Sequence, residues 1–391
     1  MTTEPFHIAI SDDKVLDLRR RLEATRWPHD MGNDDWRYGT NTEYLRGLVD
    51  YWLHGYDWRA QERAINEFNH FRAEVDGIPL HYVHERGAGP DPVPLVLTHG
   101  WPWTFWDYHQ LIRPLTDPAR FGGDPADSFD VVVVSMPGFG FSSPLLQAGM
   151  NAWRAADPIH TLMTEVLGYH RFGAQGGDWG ATTTAQLGHK FPESVLGIHL
   201  TSTPRLDHWN SQRPWDVTTG KLVPDDLPAE IRARYLDVQR RVASHVAVQV
   251  LDPQTLAHAL NDSPVGLLAW LIERRRAWSA NEGDVEKVFT RDFLLTTTSI
   301  YWFTETFGTS ARLYAEAAQH PWKPVHDRRP LVNVPTGLTY MAHDVAGRSA
   351  DAEAQFDVRY RNEHPLGGHF APAEQPQAVI EDIRATFRPL R

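Results

Sequence analysis

Cysteine is missing from the 391-residue chain altogether. Its absence excludes disulfide bonds, thiolate metal sites and a cysteine nucleophile. The chain also lacks any apolar stretch that approaches the roughly 20 residues needed to span a bilayer. Residues 1–5 are polar and do not resemble the start of a signal peptide. We therefore expect a cytoplasmic protein that does not associate with membranes.

An excess of positive charge is also lacking. The chain has 38 lysines and arginines against 50 aspartates and glutamates, for a formal net charge of -12. This balance argues against broad binding to nucleic acids or acidic membranes, because the phosphate groups of both favour basic surfaces. The 15 tryptophans are a high number. They serve either as packing bulk in the core or as the lining of an aromatic pocket for an apolar substrate.

The hydrophobic pattern divides the chain into four parts. Residues 1–70 show helical periodicity and predict an N-terminal helical extension. In residues 71–202, short β-branched runs alternate with helical segments, which predicts a mostly parallel sheet covered on both faces. Residues 203–329 are helix-rich without a credible strand, and strand-like segments return in residues 330–391. A helical insertion between late strands predicts a lid over the strand ends that carry a site.

The hexapeptide at residues 175–180, Gln-Gly-Gly-Asp-Trp-Gly, follows an apolar run and predicts a sharp strand-to-helix turn. Glycines around such a turn allow the strained backbone that lifts one side chain above the sheet. Here that side chain is Asp178, at the position where a serine hydrolase has serine. A carboxylate attacks amides poorly, but it can attack a carbon that bears a strained or good leaving group and form an ester. The motif therefore indicates epoxides or alkyl halides as substrates.

An acid and a histidine follow Asp178 in the chain. Asp344 comes just after the strand-like segment 338–341, and loops at strand carboxyl ends often carry functional acids. His369 lies in a glycine-containing loop before the last helical segment and suits a general base, because neutral imidazole titrates near working pH. The order nucleophile, acid, histidine matches a known hydrolase arrangement in which the acid orients the imidazole. The rival acids are Asp351, Asp357 and Glu363.

Two backbone N–H groups are candidates for an oxyanion hole. Residues 99–102, His-Gly-Trp-Pro, directly follow a strand-like segment that ends at Thr98. A turn there can direct the N–H of Trp101 at the site, and Trp179 supplies a second N–H as the residue after the nucleophile. An ordinary strand-to-helix turn is the alternative interpretation of residues 99–102.

Taken together, these motifs resemble the epoxide hydrolases of the α/β-hydrolase superfamily, in the branch related to microsomal epoxide hydrolase that carries an N-terminal helical extension. The resemblance covers essentially the whole chain. It implies the α/β-hydrolase fold, a covalent ester on Asp178, a small-molecule epoxide substrate and no metal or organic cofactor. Some bacterial members open epoxides during natural-product assembly, which suggests a role in secondary metabolism here. Besides the segments above, the motifs are Arg26-Trp27-Pro28, Trp36, Asp57-Trp58-Arg59, Leu115-Thr116-Asp117-Pro118, Pro137-Gly138-Phe139-Gly140-Phe141-Ser142, Pro253-Gln254-Thr255-Leu256, Asp262-Ser263-Pro264-Val265-Gly266 and Tyr301-Trp302.

The resemblance also implies two lid tyrosines that hydrogen-bond the epoxide oxygen and donate a proton. One maps onto Tyr301, whereas the position of the other is occupied by His245. Tyr235 is an alternative if the lid helix is shifted. If a protonated imidazole replaces the phenol, the alkylation rate should fall as the pH rises through a pKa of about 6.5.

Two other functions stay open at this point. A haloalkane or fluoroacetate dehalogenase shares an aspartate nucleophile, and Trp179 and His245 could help to bind halide. A ligand-binding protein on a hydrolase scaffold is the alternative from another class, although such a protein does not need Asp178, Asp344 and His369 together. The sequence leaves the oligomeric state open, with a homodimer among the options.

Overall fold

A nine-stranded sheet forms the centre of the computed structural model, which describes residues 3–206 and 226–391. The part of the predicted lid between residues 207 and 225 lies outside the described residues. Within them the strand order is β1-β2-β3-β5-β4-β6-β7-β8-β9. The strands are β1 (Thr3–Pro5), β2 (His70–Val75), β3 (Ile78–Glu85), β4 (Val93–Thr98), β5 (Phe129–Val134), β6 (Phe172–Gly176), β7 (Val195–Leu200), β8 (Val332–Met341) and β9 (Phe356–His364).

The sheet is mostly parallel, as predicted. Strands β5, β4, β6, β7, β8 and β9 run parallel to one another. At one edge, β1 pairs antiparallel with β2, β2 with β3, and β3 with β5. Every residue of β5 is buried, which is typical of a sheet covered on both faces.

Helices connect and cover these strands. Those outside the lid are α1 (Asp12–Glu23), α2 (Thr42–His54), α3 (Trp58–Ile65), α4 (His109–Thr116), α5 (Ala152–Thr161, extended by a π-helical segment at Leu162–Val166), α6 (Trp179–Lys190), α12 (Ala350–Glu353), α13 (Ala371–Glu374) and α14 (Pro376–Phe387). Those in the region predicted as a lid are α7 (Ala229–Leu251), α8 (Pro253–Leu260), α9 (Pro264–Trp278), α10 (Arg291–Thr304) and α11 (Phe307–Gln319).

Adjacent residues of β7 show that the two faces of the sheet are covered by different helices. A Cβ atom built on Gly188 of α6 would lie 3.5 Å from Ile198, whereas one built on Gly197 would lie 2.5 Å from Leu390, just after α14. Because successive side chains of a strand point to opposite faces, α6 and the C-terminal helix cover opposite sides. This is the layered arrangement that the strand–helix alternation predicts.

The N-terminal helices pack against the lid. The Thr40 hydroxyl donates to the Ala269 carbonyl in α9 at 2.7 Å, and the Tyr51 hydroxyl donates to Asp292 in α10 at 2.9 Å. Strand β1 precedes these helices and pairs with β2, so the extension also contributes an edge strand to the sheet. The four-part division of the chain itself stays a prediction.

A buried ion pair connects the lid to the core beside the predicted site. Both terminal nitrogens of Arg275 in α9 donate to the carboxylate of Asp107, at 2.7 and 3.0 Å. The two side chains are 2% and 0% exposed. Removing one partner would leave a buried, uncompensated charge, which makes this pair a strong attachment of the lid.

Candidate active site

Asp178 occupies a strained turn between β6 and α6. Its backbone has φ 54° and ψ -129°, although it is not a glycine. Two glycines make the turn possible by close approach. A Cβ atom on Gly180 would lie 2.0 Å from the carbonyl oxygen of Thr98, and one on Gly176 would lie 2.3 Å from the carbonyl oxygen of Gly180. The turn places the carboxylate at the N-terminus of α6, where the helix dipole favours a negative charge.

His369 bridges Asp178 and Asp344. Its Nε2 lies 3.1 Å from Oδ2 of Asp178, and its Nδ1 lies 2.8 Å from Oδ1 of Asp344. The structure therefore brings the three predicted residues together. The rival acids lie elsewhere: Glu363 pairs with Arg348, Asp357 pairs with Arg359, and Asp351 is exposed in α12.

The charge of His369 is set by its two acidic neighbours. Burial alone would lower the pKa of the imidazole, but the carboxylates of Asp344 and Asp178 outweigh this effect and raise the pKa to about 10. Below that pH the resting site therefore holds an imidazolium between two carboxylates.

The loop after β4 directs a backbone donor at Asp178. The N–H of Trp101 donates to Oδ1 of Asp178 at 2.8 Å. A Cβ atom on Gly100 would lie 2.1 Å from the same oxygen, so only glycine permits this approach. Because β4 and β6 are parallel neighbours with Thr98 opposite Gly176, the loops that follow them meet at one edge of the sheet. The arrangement suits the oxyanion of an ester intermediate.

Aromatic side chains from the lid close the site opposite Asp178. The ring of His245 in α7 stacks on Trp101, with centroids 5.2 Å apart and planes 7° apart, and meets Trp278 edge-on at 4.8 Å. The hydroxyl of Tyr314 in α11 lies 3.3 Å from Nε2 of His245. Tyr314 also crosses Trp179 at 4.9 Å and 85°, and accepts a hydrogen bond from the Trp179 side chain.

Comparison with known proteins agrees with this geometry. Residues 3–108 match the family model described as the epoxide hydrolase N terminus, and residues 93–306 match the model of the alpha/beta hydrolase fold. Epoxide hydrolase 1 of Oryctolagus cuniculus is 31% identical over 97% of this chain and 87% of its own length. Juvenile hormone epoxide hydrolase 2 of Ctenocephalides felis is 31% identical over 97% of this chain and 84% of its own length. The chain belongs to the epoxide hydrolase family.

A crystal structure of the juvenile hormone epoxide hydrolase of Bombyx mori shares the fold of this epoxide hydrolase. It superposes with a TM-score of 0.83 at 24% identity and covers 100% of this chain and 95% of the silkworm chain. This likeness confirms the predicted α/β-hydrolase fold. The family model and the relatives named above confirm the predicted relationship to the epoxide hydrolases of the microsomal branch.

The role of Tyr301 in holding the epoxide oxygen stays a prediction, and the structure places a second tyrosine on the lid side of the site. The Tyr301 hydroxyl donates to the backbone carbonyl of Trp103 at 2.9 Å. Tyr314 is the tyrosine whose hydroxyl meets His245 on the lid side of the site. Tyr301 lies in the last turn of α10 and Tyr314 lies in the next helix, and both are buried. The sequence offers only a weak signal for Tyr314: its spacing from Phe307 and Ala311 places all three on one helix face.

The surroundings of His245 argue against the expected protonated ring. Burial holds the pKa of His245 well below its usual value, and the charges of Arg274 and His369 lower it further. The ring is therefore neutral at working pH and can accept the Tyr314 proton at Nε2. Tyr235, the alternative, is 56% exposed and does not join this cluster.

Within the part of the chain that the structure describes, no group of three or more histidine and carboxylate side chains could hold a metal ion. No helix in the same residues has the length and apolar character to cross a bilayer.

The role of the Trp179 N–H as a second donor to the oxyanion stays a prediction.

Proposed function

We propose that this epoxide hydrolase converts an apolar or aromatic epoxide to a vicinal diol through a covalent ester on Asp178. The observation that carries the proposal is the arrangement of Asp178 between the Trp101 N–H and the Asp344-oriented His369. A carboxylate with one oxygen in a hydrogen-bonding cradle and the other beside an imidazole is suited to forming an ester and then hydrolysing it.

Ring opening is the first step. Oδ2 of Asp178 attacks a ring carbon, the bond between that carbon and the epoxide oxygen breaks, and the oxygen takes the proton of the Tyr314 hydroxyl. The tyrosine is suited to this role because its hydroxyl is held by the Trp179 side chain on one side and faces His245 on the other. A phenolate and a hydroxyalkyl ester result, and the imidazolium of His369 returns a proton to the phenolate.

Ester hydrolysis is the second step. Neutral His369 takes a proton from water, and the hydroxide adds to the ester carbonyl, whose oxyanion accepts the N–H of Trp101. When the intermediate collapses, His369 donates its proton to the departing diol oxygen. The new Asp178 carboxyl group then transfers its proton to His369, which restores the resting site without net proton change.

The aromatic lining favours an apolar substrate. The ring of His245 is surrounded by those of Trp101, Trp278 and Tyr314, whose centroids lie 5.2, 4.8 and 5.4 Å from its own. Because His245 is neutral, it adds no charge to this wall. Such surfaces bind apolar and aromatic groups and exclude water from the reacting carbon. We extend the proposal to a cytoplasmic enzyme of secondary metabolism that needs no metal or organic cofactor and binds no nucleic acid. A homodimer stays an open option.

The dehalogenase alternative has weaker support. One of the two side chains considered for halide, that of Trp179, already donates a hydrogen bond to Tyr314. Release of halide from a chloroalkane at a rate comparable with epoxide turnover would reverse the choice. Tight binding of an epoxide without turnover would favour a binding protein instead.

The deciding experiment is a single turnover of styrene oxide in water enriched with oxygen-18, followed by mass spectrometry of the Asp178 peptide. Water attacks the ester carbonyl, so the label should enter the Asp178 carboxylate while the first diol stays unlabelled. Label found in the diol alone would exclude the covalent ester and indicate direct attack of water on the epoxide.

A further inference from the structure

Glu374 connects the loop of His369 to the lid. Its Oε2 accepts the N–H of Gly368 at 2.8 Å and the N–H of Ala280 at 2.9 Å, and its Oε1 accepts the N–H of Phe370 at 2.9 Å. Gly368 and Phe370 flank His369 in the chain, whereas Ala280 follows lid helix α9. A single carboxylate therefore binds both neighbours of the general base and a residue of the lid.

A second backbone contact joins the same two segments. The N–H of His369 itself donates to the carbonyl of Trp278 at 2.9 Å. The segments lie so close that a Cβ atom on Gly368 would be 2.6 Å from that carbonyl oxygen and 2.9 Å from the N–H nitrogen of Ala280. The backbone position of His369 thus depends on residues 278–280, and Glu374 holds these residues in place.

Three converging N–H donors call for the ionised form of Glu374. Burial raises the pKa of this carboxyl group, while the N–H groups of Ala280, Phe370 and Gly368 and the charge of His369 oppose the rise. A carboxylate can accept all three bonds, because it has two oxygens with free lone pairs. An amide in its place has one oxygen, so its NH2 group would face at least one of these donors.

Helix capping explains only one of these three bonds. Phe370 is the N-cap residue of the short helix α13, and Glu374 lies in the first turn of that helix, so the bond from the Phe370 N–H is a local one. Gly368 precedes the helix, and Ala280 lies 94 residues away from Glu374 in the chain. The bonds to these two residues therefore hold the loop of His369 against the lid.

We propose that Glu374 is a positioning residue for ester hydrolysis, which holds His369 against the lid at the distance needed to activate water. The proposal rests on the covalent mechanism given above. It assigns Glu374 to the second step, because His369 acts as a base there, whereas attack by Asp178 needs only the carboxylate and the proton donor. A misplacement of a catalytic group by about 1 Å can reduce a rate roughly 100-fold.

The test separates the two chemical steps in the full-length enzyme. Formation and decay of the ester are followed by rapid quenching and intact-protein mass spectrometry with styrene oxide as the probe. In Glu374→Gln we expect ester decay to slow about 10- to 100-fold, while ester formation stays within about threefold of wild type, so that the ester accumulates. Glu374→Asp keeps the charge and both oxygens and should lie between Glu374→Gln and wild type.

Glu381→Gln is the matched control, because it makes the same chemical change at an exposed position of α14. Ester decay in Glu374→Gln equal to that of the control would overturn the proposal. So would an equal loss in both steps accompanied by a lower melting temperature, which would indicate that Glu374 only stabilises the lid. If neither wild type nor His369→Gln ever forms an ester, the covalent mechanism fails, and the role of Glu374 fails with it.

Discussion

The two walls of the active site differ in charge and in origin. The core wall consists of Asp178, His369 and Asp344, which lie in loops beyond the sheet and are joined by contacts of 2.8 and 3.1 Å. The lid wall consists of aromatic side chains from helices and holds His245 and Tyr314 in a longer contact of 3.3 Å. Charge is concentrated on one wall, and neutral rings with one proton donor form the other.

This difference gives the two walls different roles in the reaction. The sheet provides rigid attachment points for groups that carry charge and must keep a fixed distance through both steps. The lid shapes the space for the apolar substrate and supplies the proton for ring opening. A variant of the core wall should therefore affect ester formation or hydrolysis outright, whereas a variant of the lid wall should modulate ring opening.

The largest effect is expected at the nucleophile. Asp178→Ala should reduce turnover by about 10⁴-fold or more, because no neighbouring side chain can form the ester in its place. Diol formation measured by chromatography over hours provides the assay. Turnover close to wild type in this variant would show that the core wall does not act through a covalent intermediate.

The next effect separates the steps within the core wall. His369→Gln should still form the ester but hydrolyse it about 10³-fold more slowly, because glutamine cannot take a proton from water. Intact mass should rise by the mass of the epoxide and stay raised for minutes. His54→Gln, a change at a 63% exposed position, is the control. A variant that never gains mass would mean that His369 also acts in ring opening.

A smaller effect is expected from the lid donor. Tyr314→Phe should slow ester formation about 100-fold, since the epoxide oxygen would leave as an unprotonated alkoxide. Tyr301→Phe is the matched control: it removes a hydrogen bond to Trp103 and should cost about 1 kcal/mol of stability with little change in ester formation. If Tyr301→Phe slowed ester formation and Tyr314→Phe did not, Tyr301 would be the proton donor to the epoxide oxygen.

The smallest effect concerns His245 and pH. Since the pKa of His245 lies well below its ordinary value of about 6.5, the ring stays neutral from pH 6 to 8, and ester formation should not fall with rising pH on its account. His245→Tyr would add a second donor and should speed ester formation by several fold. Pre-steady-state rates at several pH values test both points. A titration near pH 6.5 that disappears in His245→Ala would show that the ring does gain a proton.

Sequence reasoning succeeded for the core wall for a physical reason. Asp178, Asp344 and Trp101 each follow a strand of a parallel sheet, and the carboxyl ends of such strands meet at one edge. Linear order and strand boundaries therefore determine which loops come together. Glycines at positions 100, 176 and 180 are visible in the sequence and mark the same close approaches.

The lid wall could be predicted only in part. The sequence places His245 in the lid, but the protonation of its ring depends on burial and on Arg274, which lies 29 residues away in the chain. Tyr301 and Tyr314 both occupy buried faces of neighbouring helices. Which hydroxyl points to the site depends on how the helices pack, and periodicity does not contain that information. The contacts of Glu374 could not be predicted from the sequence, because Ala280 becomes its neighbour only when the lid packs on the core.

Because His369 lies between two carboxylates, formation of the ester intermediate determines when the imidazole can act as a base. Before reaction, two negative charges hold one positive charge, and the imidazole keeps its proton up to a pH of about 10. Esterification of Asp178 removes one of those negative charges, so the affinity of the ring for its proton drops at that moment. The same side chain thus changes from a counter-ion to a base without moving, and water is activated only after there is an ester to hydrolyse.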